Sequence, residues 1–310
     1  MSTDPGTLTI ATICREPVLN VLRFVAWHRQ HGADRIVIYF DDPADPAIAH
    51  ITKLDFVEAI PCCPDFWRDL GVDPEVRFVT RQNAAMTAAY RRAATGWVGV
   101  LDGDELFYAP EGLKPVLRRL GPDIRSIRIQ TSEKISAPDG PWFRDPIDKH
   151  GLRALYGDLT PLMRRNRGLV GHAIGKSLTR SGLDLRLIRQ HFPVGSDRKE
   201  LTDLVLGPAD GLRLLHFFEQ GWESWRRKLD WRLGSWGFAP RMAAHLQNLA
   251  AQADDPEAVW RWVYALLHEF DELRLDKLAQ FGGLFRPELD LLAPARAMFG
   301  ADLVDALAAT

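Results

Sequence analysis

The chain has little cysteine, no apolar run long enough to span a membrane, and no excess of charge of either sign. Its three cysteines, Cys14, Cys62 and Cys63, are an odd number with two adjacent. That excludes a disulfide framework, and the lack of any C-x-x-C pair excludes the common zinc spacings. A reducing compartment fits this usage. Lysine and arginine number 39 against 41 acidic residues, a net charge of −2, so no basic excess points to nucleic acid. No stretch approaches the roughly 20 apolar residues of a bilayer span. Met1–Gly6 also lacks the basic and apolar regions of a secretory leader. The expectation is a cytoplasmic protein, with room for a peripheral contact at the inner face of a membrane.

What the chain does have is core material. Hydrophobic residues make up 46% and aromatics 10% of 310 residues, which excludes disorder and low-complexity repeats and sets a prior of about two domains. Leu8 to Ile13, Arg35 to Phe40, Phe56 to Ile60 and Trp97 to Leu101 are short apolar runs that read as buried strands. Between the first two, Pro17 opens a helix in which Val18, Val21, Leu22 and Val25 form one apolar stripe, stopped at Gly32. A longer helix is expected over 74–94. Strands and helices alternating in this way predict βαβ units and a largely parallel sheet. Ser126 to Gln130, Ile174 to Arg180, Leu185 to Phe192 and Leu212 to Phe218 read as further strands, and the chain turns helical from Trp222 onward. The division read from this pattern is an α/β domain over 1–220 and a helical region over 221–310.

In parallel sheets, ligands bind beyond the carboxyl ends of the strands. Arg15-Glu16, Asp41-Asp42 and Asp102-Gly103-Asp104 all fall at such ends, and the last is the only D-x-D tripeptide in the chain. Two carboxylates one residue apart on a turn can converge on a hard divalent ion, Mg²⁺ or Mn²⁺, that keeps positions open for phosphate oxygens. The glycine between them lets the backbone approach a ligand. Asp-Gly is also an ordinary turn dipeptide, and acidic turns are usually only solvated. A phosphatase of the D-x-D-x-[TV] type does not fit, because Leu106 holds the last position.

Trp97 to Phe107 (WVGVLDGDELF) resembles the acidic element of family-2-like glycosyltransferases, including the branch related to family 92. Leu22 to Asp34 (LRFVAWHRQHGAD) is similar to an upstream helix of that group, and Arg81 to Met86 to the segment before its acidic motif. Leu215-His216-Phe217-Phe218, Ser224 and Lys228 resemble its late signature, so the likeness runs over roughly 7–235. It implies a GT-A-type nucleotide-binding sandwich that uses Mn²⁺ or Mg²⁺ and a nucleotide-diphosphate sugar. By position, Asp102 and Asp104 would hold the metal and the donor, His216 would complete the metal site, Arg15 and Glu16 would lie at the nucleotide, and Asp41 near its base or ribose. The sequence departs from the family at Cys14-Arg15-Glu16 and at Tyr39-Phe40-Asp41-Asp42.

Gly171-His172-Ala173-Ile174-Gly175-Lys176-Ser177 looks like a phosphate loop, but only three residues separate its glycines where four are needed. Lys176 is still a candidate for the donor phosphates. Glu133 and Asp145, placed on loops after the acidic turn, are the candidates for a general base that deprotonates an acceptor hydroxyl. Trp222, Trp225, Trp231 and Trp236, interleaved with Arg226, Arg227 and Lys228, could stack on a sugar, although aromatics at helical spacing usually pack in a core. The basic run Arg164-Arg165-Asn166-Arg167 suits a solvated turn or an anionic membrane surface.

The expected activity is inverting sugar transfer to a glycan, lipid-linked or protein acceptor. A nucleotidyltransferase would need a glycine-rich loop after the first strand, and Thr12 to Val18 contains no glycine. A noncatalytic nucleotide- or sugar-binding protein on the same fold stays open.

Overall fold

A computed structural model describes residues 6–234, 238 and 240–309. Met1–Pro5, read above for a leader, and Trp236 of the tryptophan cluster lie outside the described residues. The chain forms two compact units, one made of Met1–Gln130, Gly175–Leu214 and Asp290–Thr310, the other of Thr131–Ile174 and Leu215–Leu289. The single boundary expected at 220/221 is thus replaced by an interleaved division. The expected helical region is split, with helices Leu292–Phe299 and Ala301–Ala308 in the first unit.

In chain order the strands are β1 (Leu8–Cys14), β2 (Arg35–Phe40), β3 (Val57–Pro61), β4 (Trp97–Asp102), β5 (Glu105–Tyr108), β6 (Ser126–Ile129) and β7 (Thr131–Ile135). They continue as β8 (Trp142–Arg144), β9 (Lys176–Arg180), β10 (Leu185–Ile188), β11 (Pro193–Gly195), β12 (Leu204–Leu206), β13 (Arg213–His216) and β14 (Leu284–Phe285).

The first unit is built on a seven-stranded sheet in the order β12-β6-β9-β4-β1-β2-β3. Pairing is parallel at β4-β1, β1-β2, β2-β3 and β12-β6, and antiparallel where β9 meets β4 and β6. The fold is therefore α/β with a mostly parallel central sheet. All seven residues of β1 are buried, as continuous apolar runs are in parallel sheets covered on both faces. Ala11, Ile13, Val37, Tyr39, Val98 and Val100 share one core with Ala85, Met86, Ala89 and Tyr90 of helix Phe78–Arg92. Helix Val18–Gln30 buries Val21, Leu22 and Val25 of the predicted stripe. Its Ala26 packs with Ala295 and Val304 of the two last helices. Gly99 faces Leu178 across the β4-β9 pair. A Cβ there would stand 2.8 Å from Leu178 and 2.9 Å from Ile10 and Phe107, so a larger residue would have to displace these buried side chains.

This topology sets the candidate site. The carboxyl ends of β1, β2 and β4 lie at one edge of the sheet, and β9, running the other way, begins at that edge with Lys176. Two local readings change. The stretch 185–192 is not one strand: the chain turns at Arg189–Phe192, and β10 pairs antiparallel with β11. The helix expected over 74–94 spans Phe78–Arg92, because Asp73 and Val76 close a turn ahead of it.

The second unit carries the antiparallel ladder β14-β8-β7 and the helices Lys149–Tyr156, Trp222–Arg227, Leu229–Gly234, Pro240–Ala251, Pro256–His268 and Glu272–Gln280. Trp225, Tyr264, Leu267 and Leu246 lie in its apolar core.

Candidate active site

The acidic turn leaves β4 in the middle of the parallel sheet, and its first carboxylate is held from two sides. Gln82 Nε2, from helix Phe78–Arg92, donates to Asp102 Oδ1, and Lys176 Nζ donates to Asp102 Oδ2 at 2.6 Å. Behind them Glu105 Oε2 accepts the Asp102 backbone N–H at 2.8 Å and lies 3.3 Å from Lys176 Nζ. Lys176 and Glu105 are fully buried, whereas the Asp102 side chain keeps 30% of its surface exposed. Burial works against the Lys176 charge, but the attraction of Asp102 and then Glu105 outweighs it and holds the ammonium pKa above the ordinary lysine value.

Gly103 brings this turn against the end of β1. A Cβ on it would stand 2.9 Å from Glu16 Cγ and 3.0 Å from Cys14 Cβ, so the glycine allows the close approach. Glu16 accepts from Asn20 Nδ2 at 3.2 Å, and Arg15 is exposed. Burial, and then the nearby charge of Asp45, push the Cys14 thiol far up, which makes it an inert core residue. At the end of β2, Asp41 receives both Nη2 and Nε of Arg81, at 2.9 and 3.1 Å. Neighbouring residues of one helix, Arg81 and Gln82, thus each fix one strand-end acid.

The first unit brings Glu16, Asp41, Asp102, Asp104, Arg15 and Lys176 to the same edge of its sheet. Lys176, expected near the donor phosphates, has its ammonium buried against Asp102 and Glu105 and orients Asp102.

Glu133, Asp145 and His216 belong to the second unit. Glu133 lies within β7 and Asp145 directly after β8, both buried, so neither stands on an open loop. Glu133 Oε1 accepts from Arg144, its register partner, and from Val170 N–H at 3.0 Å, while Oε2 accepts Gly171 N–H at 2.6 Å. Burial alone would raise its pKa; Arg144 and then His216 outweigh that and lower it. A carboxylate held so firmly in its charged form is a poor proton acceptor, and the general-base role expected of it does not fit. Asp145 accepts from Ser132 Oγ at 2.6 Å and is as deeply placed. His216 is 5% exposed and stacks on His172 with ring centroids 5.1 Å apart. Trp225 is buried and stacks on Trp222 in the core of this unit, so that pair is packing rather than a sugar platform; Trp231 is exposed.

Sequence reasoning missed Gln82, Arg81, Gln190 and Glu105 as parts of the site. Gln190 Nε2 donates to Gln82 Oε1 at 2.7 Å. The forward signals were that Arg81-Gln82 and Glu105 each fall in one of the family-like segments.

Carboxylate oxygens are the donors that hard divalent cations prefer. Asp102 and Glu105 set two carboxylates against the one ammonium of Lys176, and Asp104 follows on the same turn. Asp102 is oriented by hydrogen bonds from Gln82 and Lys176, as ligating carboxylates commonly are, and stays partly exposed.

No protein-family model and no curated protein matches this chain. Solved structures give distant likenesses. Glucosyl-3-phosphoglycerate synthase from Mycobacterium tuberculosis, in complex with Mg²⁺ and uridine diphosphate, is 14% identical at a TM-score of 0.35, over 69% of this chain and 72% of that one. TarS from S. aureus is 12% identical at a TM-score of 0.38, over 97% of this chain and 83% of that one. HddC from Yersinia pseudotuberculosis is 11% identical at 0.36, over 67% and 92%. At such identities and TM-scores they carry no argument about activity. Among the described residues no helix is long and apolar enough to cross a membrane.

Proposed function

We propose that the chain is a metal-dependent, inverting glycosyltransferase of GT-A type that moves a sugar from a nucleotide-diphosphate donor to an acceptor hydroxyl. The observation that carries this reading is the Asp102-Gly103-Asp104 turn at the carboxyl end of β4, with Asp102 braced by Gln82 and Lys176 and its side chain 30% exposed. The order of family-like segments in the sequence supports it.

Asp102 and Asp104 would hold Mn²⁺ or Mg²⁺, and a bound divalent ion supplies charge neutralisation for a departing diphosphate. The chain's own residues do the placing. Gln82 and Lys176 fix the Asp102 carboxylate, Gly103 lets the turn sit close to the Glu16 loop, and Arg81 holds Asp41 at the next strand end. A donor held at this strand end would present its anomeric carbon for attack from the opposite face, and direct displacement would invert it.

Asp104→Ala is expected to lower turnover of a nucleotide-diphosphate sugar about a hundredfold or more. Thermal unfolding should stay unchanged, since Asp104 lies on a turn and is only partly buried. The assay is release of nucleoside diphosphate with and without acceptor, alongside circular dichroism. Turnover at the wild-type rate in this variant would overturn the assignment.

A further inference from the structure

Asp102 is held through an amide whose direction is itself set by a second amide. Gln82 is 2% exposed and bridges two partners: its Nε2 donates to Asp102 Oδ1, and its Oε1 accepts from Gln190 Nε2. A side-chain amide offers donors at one end and an acceptor at the other. With Gln190 donating to Oε1, the NH₂ end of Gln82 has to face the carboxylate. Turned round, the Gln82 oxygen would point at Asp102 and repel it. Gln190 is held in turn by its place in the turn between β10 and β11, where Arg189 N–H bonds Phe192 O at 3.0 Å and His191 Nδ1 lies 3.0 Å from Gly175 O.

We propose that Gln190 and Gln82 are positioning residues for Asp102: Gln190 selects the Gln82 amide orientation that keeps the carboxylate aimed for cation and donor-diphosphate binding. The inference rests on the transferase reading for the donor, and on the geometry of the first unit for the cation.

Gln190→Glu is the discriminating variant. A glutamate there accepts but does not donate, so it competes with Asp102 for the Gln82 NH₂ group and removes the donor that held the Gln82 oxygen away from the carboxylate. Binding of Mn²⁺ alone, followed by calorimetry on the full chain, is then expected to weaken about tenfold or more, the range seen when partners of metal ligands are lost. Simple charge addition predicts the opposite, because one more carboxylate near the turn would tighten cation binding. In a Gln82→Leu background there is no amide to turn, so adding Gln190→Glu should weaken Mn²⁺ binding no further. Donor KM should rise with kcat little changed, the pattern of lost binding rather than lost chemistry.

Equal or tighter Mn²⁺ binding in Gln190→Glu overturns the inference, as does a further loss on adding it to Gln82→Leu. If Mn²⁺ responds as expected but no nucleoside diphosphate binds the wild type, the positioning role stands and the donor reading falls.

Discussion

Arg144→Met is expected to destabilise the second unit by about 3–5 kcal/mol, the usual consequence of removing one partner of a buried ion pair. Arg144 and Glu133 are 1% and 0% exposed, so neither charge can turn to water. The guanidinium also donates to Tyr156 Oη at 2.9 Å and to Leu267 O at 2.8 Å. Tyr156 Oη in turn donates to Gly168 O at 3.1 Å. Methionine would leave Glu133 charged and the Leu267 carbonyl without its donor. The double variant Arg144→Met/Glu133→Gln should recover part of the loss, because the stranded charge is then gone. Chemical denaturation would measure both. The pH dependence has a definite sign: the Glu133 pKa is lowered in the folded chain, so its contribution is full above the ordinary carboxylate range and is lost as pH falls through the lowered value. A stable Arg144→Met variant would mean that the pair does not organise this unit.

Lys176→Met is expected to cost a similar 3–5 kcal/mol in the first unit and to abolish donor-diphosphate binding as well. Lys176 is the buried counter-cation of two carboxylates, at 2.6 Å from Asp102 and 3.3 Å from Glu105. Its raised pKa means that the stabilisation is full below the ordinary lysine value and is lost only as pH rises through the higher one. Adding Glu105→Gln should restore much of the stability but not the binding, because Asp102 would still lack its inner donor. Recovery of both together would reduce Lys176 to a purely structural role.

The parallel core was legible in the sequence because β1, β2 and β4 are buried on both faces, and such strands appear as unbroken apolar runs. The acidic turn was legible for the same reason, since it follows directly on one of those runs. Its support was not. Lys176 lies 74 residues from Asp102 in the chain and meets it only because β9 runs antiparallel beside β4, which no local pattern announces. Gln82 looks like one more polar residue on a helix until the sheet places Asp102 beneath it. Glu133 was read as a loop residue because Thr131-Ser132-Glu133-Lys134-Ile135 is mostly polar, yet the segment is a strand whose glutamate is neutralised by Arg144 on the next one. The interleaved units were hidden as well: segments 131–174 and 290–310 carry no linker composition at their ends, and contacts rather than composition assign them.

The central claim, that the Asp102–Asp104 turn is a metal-dependent nucleotide-diphosphate site, is tested most directly by calorimetric titration of the full chain with a panel of nucleoside diphosphates, with and without Mn²⁺. The account predicts that one diphosphate binds in the presence of Mn²⁺, binds much more weakly without it, and is lost in Asp102→Ala. Binding indifferent to Mn²⁺ and to Asp102, or a preference for the nucleoside triphosphate, would contradict it.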